Sequence, residues 1–237
     1  MAASSGFSKK EDFFSLVAAN NGLQLKSSQD GKTSQVAEAS NEYGDTVVKD
    51  IYGEVYAPTC EYVLIGEYDL SALALGDVKT YKSTTFLMIT NVTITTAPGQ
   101  SPTLSVSGVQ VDSATVRRSY ALSGTLSPRS KAQDPFGALA SGLAEKCSSI
   151  ISTAAVDAHV QTVTGVPVFA DASHATLSVQ ATMVDTAGTG SISAASDSGY
   201  ELVPVASTSY PDSAYMEHSA TLVKYLADDA ADDEEDS

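Results

Sequence analysis

Apolar and polar positions along the chain alternate far more often than they recur at helical spacing. The segment LMITNVTITTAPGQSPTLSVSGVQV, residues 87–111, shows the pattern most fully. Met88, Val92 and Ile94 fall on one face of a strand, and Asn91, Thr93 and Thr95 fall on the other. APGQSP then supplies a turn, after which Leu104 and Val106 resume the apolar face. Beyond Gly108 the parity flips to Val109 and Val111, and a β-bulge at Gly108 accounts for the flip. In CEYVLIGEYDL, Tyr62 and Leu64 alternate with Val63 and Ile65, which predicts a strand buried on both faces. AYMEHSATLVKYLA also has apolar residues on both faces, the pattern of an inner strand or of one covered by another subunit. Residues 23–58 are polar and punctuated by glycine, with short strands expected at Thr46–Val48 and Glu54–Ala57.

Two stretches carry helical signals instead. Ser8 and Glu11 have capping-box spacing ahead of Phe13, Phe14, Leu16 and Val17, and Asn21-Gly22 closes the run. That predicts a short N-terminal helix, or else an arm that orders only against a neighbouring subunit. In DPFGALASGLAEKCSSII, Asp134 suits an N-cap and Pro135 the first helical position. Phe136, Leu139, Leu143, Cys147 and Ile150 recur at steps of three and four, so an amphipathic helix over about 135–151 is expected to lie on a sheet. Gly137 and Gly142 count against it. TLSVSGVQVDSA from Thr103 and TLSVQATMVDTA from Thr176 share a start and a close. In a chain this rich in Ser, Thr, Ala and Val the match fits duplication and chance alike.

The fold expected is therefore mainly β, an antiparallel sandwich or barrel built from two β-rich halves with one helix packed on a sheet. The boundaries that follow are an N-terminal arm at 1–40, a first half at 41–133, the helix at 134–152, a second half at 153–227 and an acidic tail at 228–237.

Composition narrows the function. The 237 residues lack Trp, are 43% hydrophobic and 18% charged, and carry a formal net charge of −16. This is the composition of a folding chain and not of a disordered one, apart from the closing ADDAADDEEDS. Without that acidic tail the body is still acidic, and it repels phosphate backbones and anionic lipid. Cys60 and Cys147 stand far apart in no ligand-like spacing, which leaves a single disulfide or two buried free thiols, the latter being the preferred expectation. No run of apolar residues approaches a membrane span or the core of a signal peptide, which makes a soluble protein of the cytoplasm the expectation.

Candidate chemistry is sparse. His159, His174 and His218 have no partner at a recognised metal or catalytic spacing. DAH at Asp157–His159 and DASH at Asp171–His174 would bring two carboxylates and two imidazoles together if folded side by side. The alternative, solvated loop residues, is preferred, and no catalytic, cofactor or metal residue is assigned. GTGSIS at Gly188–Ser193 begins like a phosphate-binding loop but lacks the last glycine and the helix such a loop needs, so it is expected to be a turn. Asn91 heads NVT, a glycosylation sequon in form only. Arg117, Arg118 and the SPRSK cluster at 127–131 lack interleaved aromatics and are expected to be interface ion-pair partners. Nothing here argues for an enzyme.

Three segments, NEYGDTVVKDIYGEVYAPTCEYVL at 41–64, the hairpin above and YPDSAYMEHSATLVKYLA near the end, resemble structural proteins of the bacteriophage tail, above all tail tube (major tail) proteins. The resemblance spans most of residues 41–227. It implies a β-sandwich or barrel with a flanking helix, in a virion protein whose rings stack into a tube that conducts genome DNA without specific binding. Its implied partners are copies of itself and other tail proteins, with no membrane and no cofactor. Two β-rich halves exceed a minimal tube subunit, which suggests a duplicated protein forming rings of fewer chains. The competing expectation is a capsid decoration protein or a carbohydrate-binding fibre module. The tyrosines that would serve it, Tyr52, Tyr56, Tyr200, Tyr210 and Tyr215, are thinly spread.

Overall fold

The computed structural model describes residues 10–17, 22–40, 46–112, 118–129, 131–163, 166–185, 191–209 and 216–226. The strands of its first half are β1 (Leu23–Gln29), β2 (Lys32–Ser40), β3 (Thr46–Tyr56), β4 (Thr59–Leu64), β5 (Tyr68–Asp69), β6 (Ala74–Leu75), β7 (Val78–Tyr81), β8 (Thr85–Thr96) and β9 (Thr103–Val111). Then come β10 (Tyr120–Ala121), β11 (Thr125–Leu126), β12 (Cys147–Val163), β13 (Val166–Asp185), β14 (Glu201–Ser209) and β15 (Met216–Tyr225). Nine of them form one antiparallel sheet in the order β1-β4-β9-β8-β12-β13-β15-β14, with β7 also on β8. The two β-rich halves are thus one sheet, joined where Ile150–Ala155 pair with Asn91–Thr96. The TLSV segments open β9 and lie within β13, each the second strand of a hairpin.

One face of the sheet is the core. Register aligns Tyr62, Leu104, Ile94, Ser152, Val179 and Leu222 in a single row across it, and all six are essentially inaccessible to solvent. Loops and short strand pairs, β5 with β11 and β6 with β10, cover this face through Leu70, Leu73, Leu75, Leu122, Leu126 and Leu139, giving a sandwich-like second layer.

Several expectations change. Lys10–Val17 contains no helix: Phe13-Phe14 form a turn that continues into Ser15 at a left-handed φ of 55°. Phe13 and Phe14 are both buried all the same. The Asp12 carboxylate accepts hydrogen bonds from the Val17 N–H and the Tyr62 hydroxyl, so this segment is seated on its own core and not on a neighbour. Ser8 and Asn21 lie outside the described residues, as does the acidic tail.

The helix over 135–151 is absent. Asp134 does act as a cap, accepting from the Leu139 N–H at 2.7 Å. Gly137 and Gly142 then take left-handed φ values of 65° and 77°, Leu139 bridges to Ala194, and only a single 3-10 turn at Ala144–Lys146 precedes β12. Phe136, Leu139, Leu143, Cys147 and Ile150 still share one core, reached along an irregular path.

The bulge lies on β8. Ile89 faces Gly108 and Asn91 faces Ser107, so Thr90 is the extra residue and β9 runs through Gly108 without interruption. Thr90 also moves Met88 to the face opposite Val92 and Ile94. Val109 and Val111 point to that opposite face, and Val111 is buried within its own chain. β4 alternates cleanly, with Cys60, Tyr62 and Leu64 buried, Val63 half-buried and Ile65 exposed. The two short strands expected at 46–48 and 54–57 are one strand, carried past Gly53 by an irregular register against β2. β15 is an inner strand, as its pattern predicts.

Candidate functional site

Away from the buried Met88 and Val111, the opposite sheet face is open and built from small hydroxyl side chains. Thr95, Thr93, Thr103, Ser105 and Ser107 continue across the sheet into Thr153 and Ser178. The side chains bond to one another, with Thr59 Oγ1 3.0 Å from Ser107 Oγ and Thr93 Oγ1 3.4 Å from Thr153 Oγ1. A shallow depression of about 450 Å³ lies beside β1, lined by Ser27, Glu61, Thr95, Thr103 and neighbouring hydroxyls, with no aromatic ring. Lys26 pairs with Glu61 at its rim at 2.7 Å, which holds the Glu61 carboxyl below its ordinary range. On the β12–β14 side the same face exposes large apolar side chains: Ile151, Val184, Val203 and Tyr225, the last 73% accessible.

Two hairpins leave the sheet. β12 follows β8 only as far as Ala155, because β7 occupies the next stretch of β8. From Asp157 to Val163 its only partner is β13, which itself meets β15 only from Thr176 onward. This ribbon runs for about 23 Å at 3.3 Å per residue. β2 and β3 pair only with each other, as a second ribbon.

Some of the ionisable residues singled out in the sequence have described side chains, while those of His159 and Asp171 lie outside the described residues. Asp157 and His174 lie where the β12–β13 ribbon leaves the sheet, with His174 Nδ1 3.6 Å from Asp157 Oδ2 and 3.0 Å from Ser173 Oγ. These residues sit in paired strands and not in loops. Serine and aspartate approach the same ring nitrogen, so the trio cannot relay a proton from one to the other. His218 is buried on β15, far along the sheet from the ribbon. Lys131 pairs with Glu145 of its own chain at 3.3 Å, both exposed. Arg117, Tyr210, Tyr215 and Gly188–Gly190 lie outside the described residues, as does the side chain of Tyr52; Ser191–Ser193 are irregular, with no helix following. Asn91 sits on β8, accepting from Thr93 Oγ1 at 3.0 Å.

Sequence reasoning missed a buried polar group beside the core that Leu139, Cys147 and Ile150 share. Asp134 Oδ1 and the Tyr200 hydroxyl are both buried without a hydrogen-bond partner. Desolvation pushes the Asp134 carboxyl above its ordinary value against the pull of four backbone N–H groups. Cys147, in the same core, is pushed up to about 11 by burial and by the Asp134 charge. Cys60 is also buried, free and raised.

No protein-family model matches the chain, and no curated protein matches it as a relative. The chemistry must therefore be argued from the geometry. Among the described residues no group of three or more His, Cys, Asp or Glu is placed to hold a metal ion, and no helix is long and apolar enough to cross a membrane. What the arrangement offers is surface: a hydroxyl-rich sheet face, an apolar margin and two protruding ribbons.

Proposed function

We propose that the chain is a structural subunit that assembles with copies of itself, and, from its resemblance to tail tube proteins, that the assembly is the DNA-conducting tube of a virion tail. The observation that carries the reading is the pair of ribbons. A two-stranded hairpin is marginal in water without further strands. Val156 and Ala172 seat the base of β12–β13 on the chain's own core, yet among the described residues neither ribbon pairs with a further strand beyond that base, which calls for a neighbour to lie against. The exposed Ile151, Val184, Val203 and Tyr225, all on one face, extend that demand onto the sheet.

Both lateral edges disfavour simple strand addition. β1 carries a bulge at Lys26, and β14 breaks register between Val203 and Ala206, where Pro204 stands. Contact through ribbons and faces fits closed rings better than open-ended sheet growth. The acidic body and hydroxyl-rich face suit a wall that DNA passes without adhering.

Light scattering and negative-stain microscopy on the purified chain, from micromolar upward, test this directly. Rings or tubes of uniform diameter are expected. A protein that stays monomeric at every concentration and binds intact capsids or glycans would replace the proposal with the decoration or fibre reading.

A further inference from the structure

Exposed large apolar side chains are concentrated in one part of the molecule. Among the described residues Ile151, Val184, Leu202, Val203 and Tyr225 all belong to β12–β15, and only Ile65 lies elsewhere. Register puts four of them on one face. Ile151, Gln180, Thr221 and Val203 form a single row across β12, β13, β15 and β14. Val184 and Tyr225 share that face by alternation, at its two ends, paired with Glu217 and Thr176.

Charge is sparse here in a chain of net charge −16. β12 has no ionisable residue from Ser149 to Ala155, and β13 has none from Thr176 to Val184. The acids that register brings to this face stand at its margin, Glu201 on the edge strand β14 and Glu217 in the row of Val184.

We infer that a second copy of the chain docks on this face, sheet against sheet, about a two-fold axis parallel to the strands between β13 and β15. The inference rests on the reading that the chain assembles with itself, and it names the face that does so. A partner of opposite charge would need acids at the centre of the face to pair with; an uncharged centre lets one acidic chain meet its like without burying like charges. The axis carries β12 of each copy over β14 of the other. Ile151 and Val203, in one row at equal distances from it, therefore meet twice, the self-matching that an isologous contact requires. Glu217 comes over Val184 and Glu201 over Thr153, so neither carboxylate opposes another. Four strands and the stretch from Glu217 to Tyr225 cover about 19 by 27 Å, or about 500 Å² per copy. The total of about 1,000 Å² is the least that a specific interface needs. β8 and the hydroxyl-rich half fall beyond the edge of the second copy and stay uncovered.

Sedimentation velocity on the full chain across the micromolar range, in low and high salt, tests this. A dimer is expected, alone or within larger assemblies, and tighter in high salt because screening weakens the repulsion between two acidic copies. Ile151→Lys and Val203→Glu should each weaken it at least tenfold and leave the urea midpoint unchanged, since both side chains are exposed. The double variant should regain most of the loss, because the new ammonium group then meets the new carboxylate across the axis. Within one chain the two positions stand about 14 Å apart, too far to pair. A wild-type chain that stays monomeric, alone or bound to a different protein, would overturn the inference, as would single substitutions without effect or a double variant weaker than either. Rings that form unchanged in the single variants would overturn it and leave the ring reading standing. Dimers that never close into rings would support it and count against the tube.

Discussion

Replacing Gly108 with alanine puts a methyl group into space that is already occupied. A Cβ at this position meets the Met88 carbonyl oxygen at 2.6 Å and Phe14 Cε1 at 2.9 Å. Ordinary contacts between such atoms lie near 3.5 Å, so one partner must move by more than half an ångström. Neither moves freely. The Met88 carbonyl belongs to β8 and is fixed by the rungs Met88–Val109 and Ile89–Gly108 beside the Thr90 bulge, and Phe14 is 1% accessible in the core. Overpacking of this kind costs about 1–3 kcal/mol. With a urea m-value of about 3 kcal/mol per molar, the unfolding midpoint should fall by about 0.3–1 M. Phe14→Leu removes the ring carbons, so in the double variant the alanine should cost at least about 0.5 kcal/mol less than it does alone. The damage is to the fold of the subunit itself, not first to its contacts with neighbours. A Gly108→Ala protein with an unchanged midpoint, or a strictly additive double variant, would refute the steric argument. One that unfolds normally yet fails to assemble would move Gly108 to an interface.

Two further outcomes follow from the buried polar groups. Asp134 has a folded-state pKa above its unfolded value, so the native chain binds that proton more tightly. Its contribution to stability is therefore complete below the unfolded pKa and is lost as pH rises through the folded one. Asp134→Asn should raise the thermal midpoint at pH 7, with the gain shrinking as pH falls toward 4; calorimetry showing no gain at pH 7 would contradict the assignment. Cys60 and Cys147 are buried thiols with raised pKa values, so an aromatic disulfide reagent at pH 8 should modify neither in the folded protein and both in denaturant. Rapid labelling of the native chain would show that the core is open where it should be closed.

Alternation along a strand reveals which face a residue occupies but not which strand lies beside it, and that distinction accounts for what could be read from this chain. The parity of Val92, Ile94, Leu104 and Val106 is legible because all four are buried in one core. That of Met88 is not, because the bulge that turns it sits at Thr90, and the sequence of β9 shows only its echo at Gly108. The stripe from Phe136 to Ile150 fits a helix by spacing alone. Two left-handed glycines and a run of Ser, Ile and Thr that pairs with β8 make it a loop and a strand, while each stripe residue still reaches the core.

The same limit governs the candidate sites. DAH and DASH are visible as residue types, yet whether they meet depends on a hairpin register that a single bulge beside His174 sets. Were the same sequence paired without that bulge, the part of β13 before His174 would slip by one against β12 and place Asp171 and Ser173 on the opposite face. The approach of the His174 ring to the Asp157 carboxylate therefore depends on the backbone irregularity.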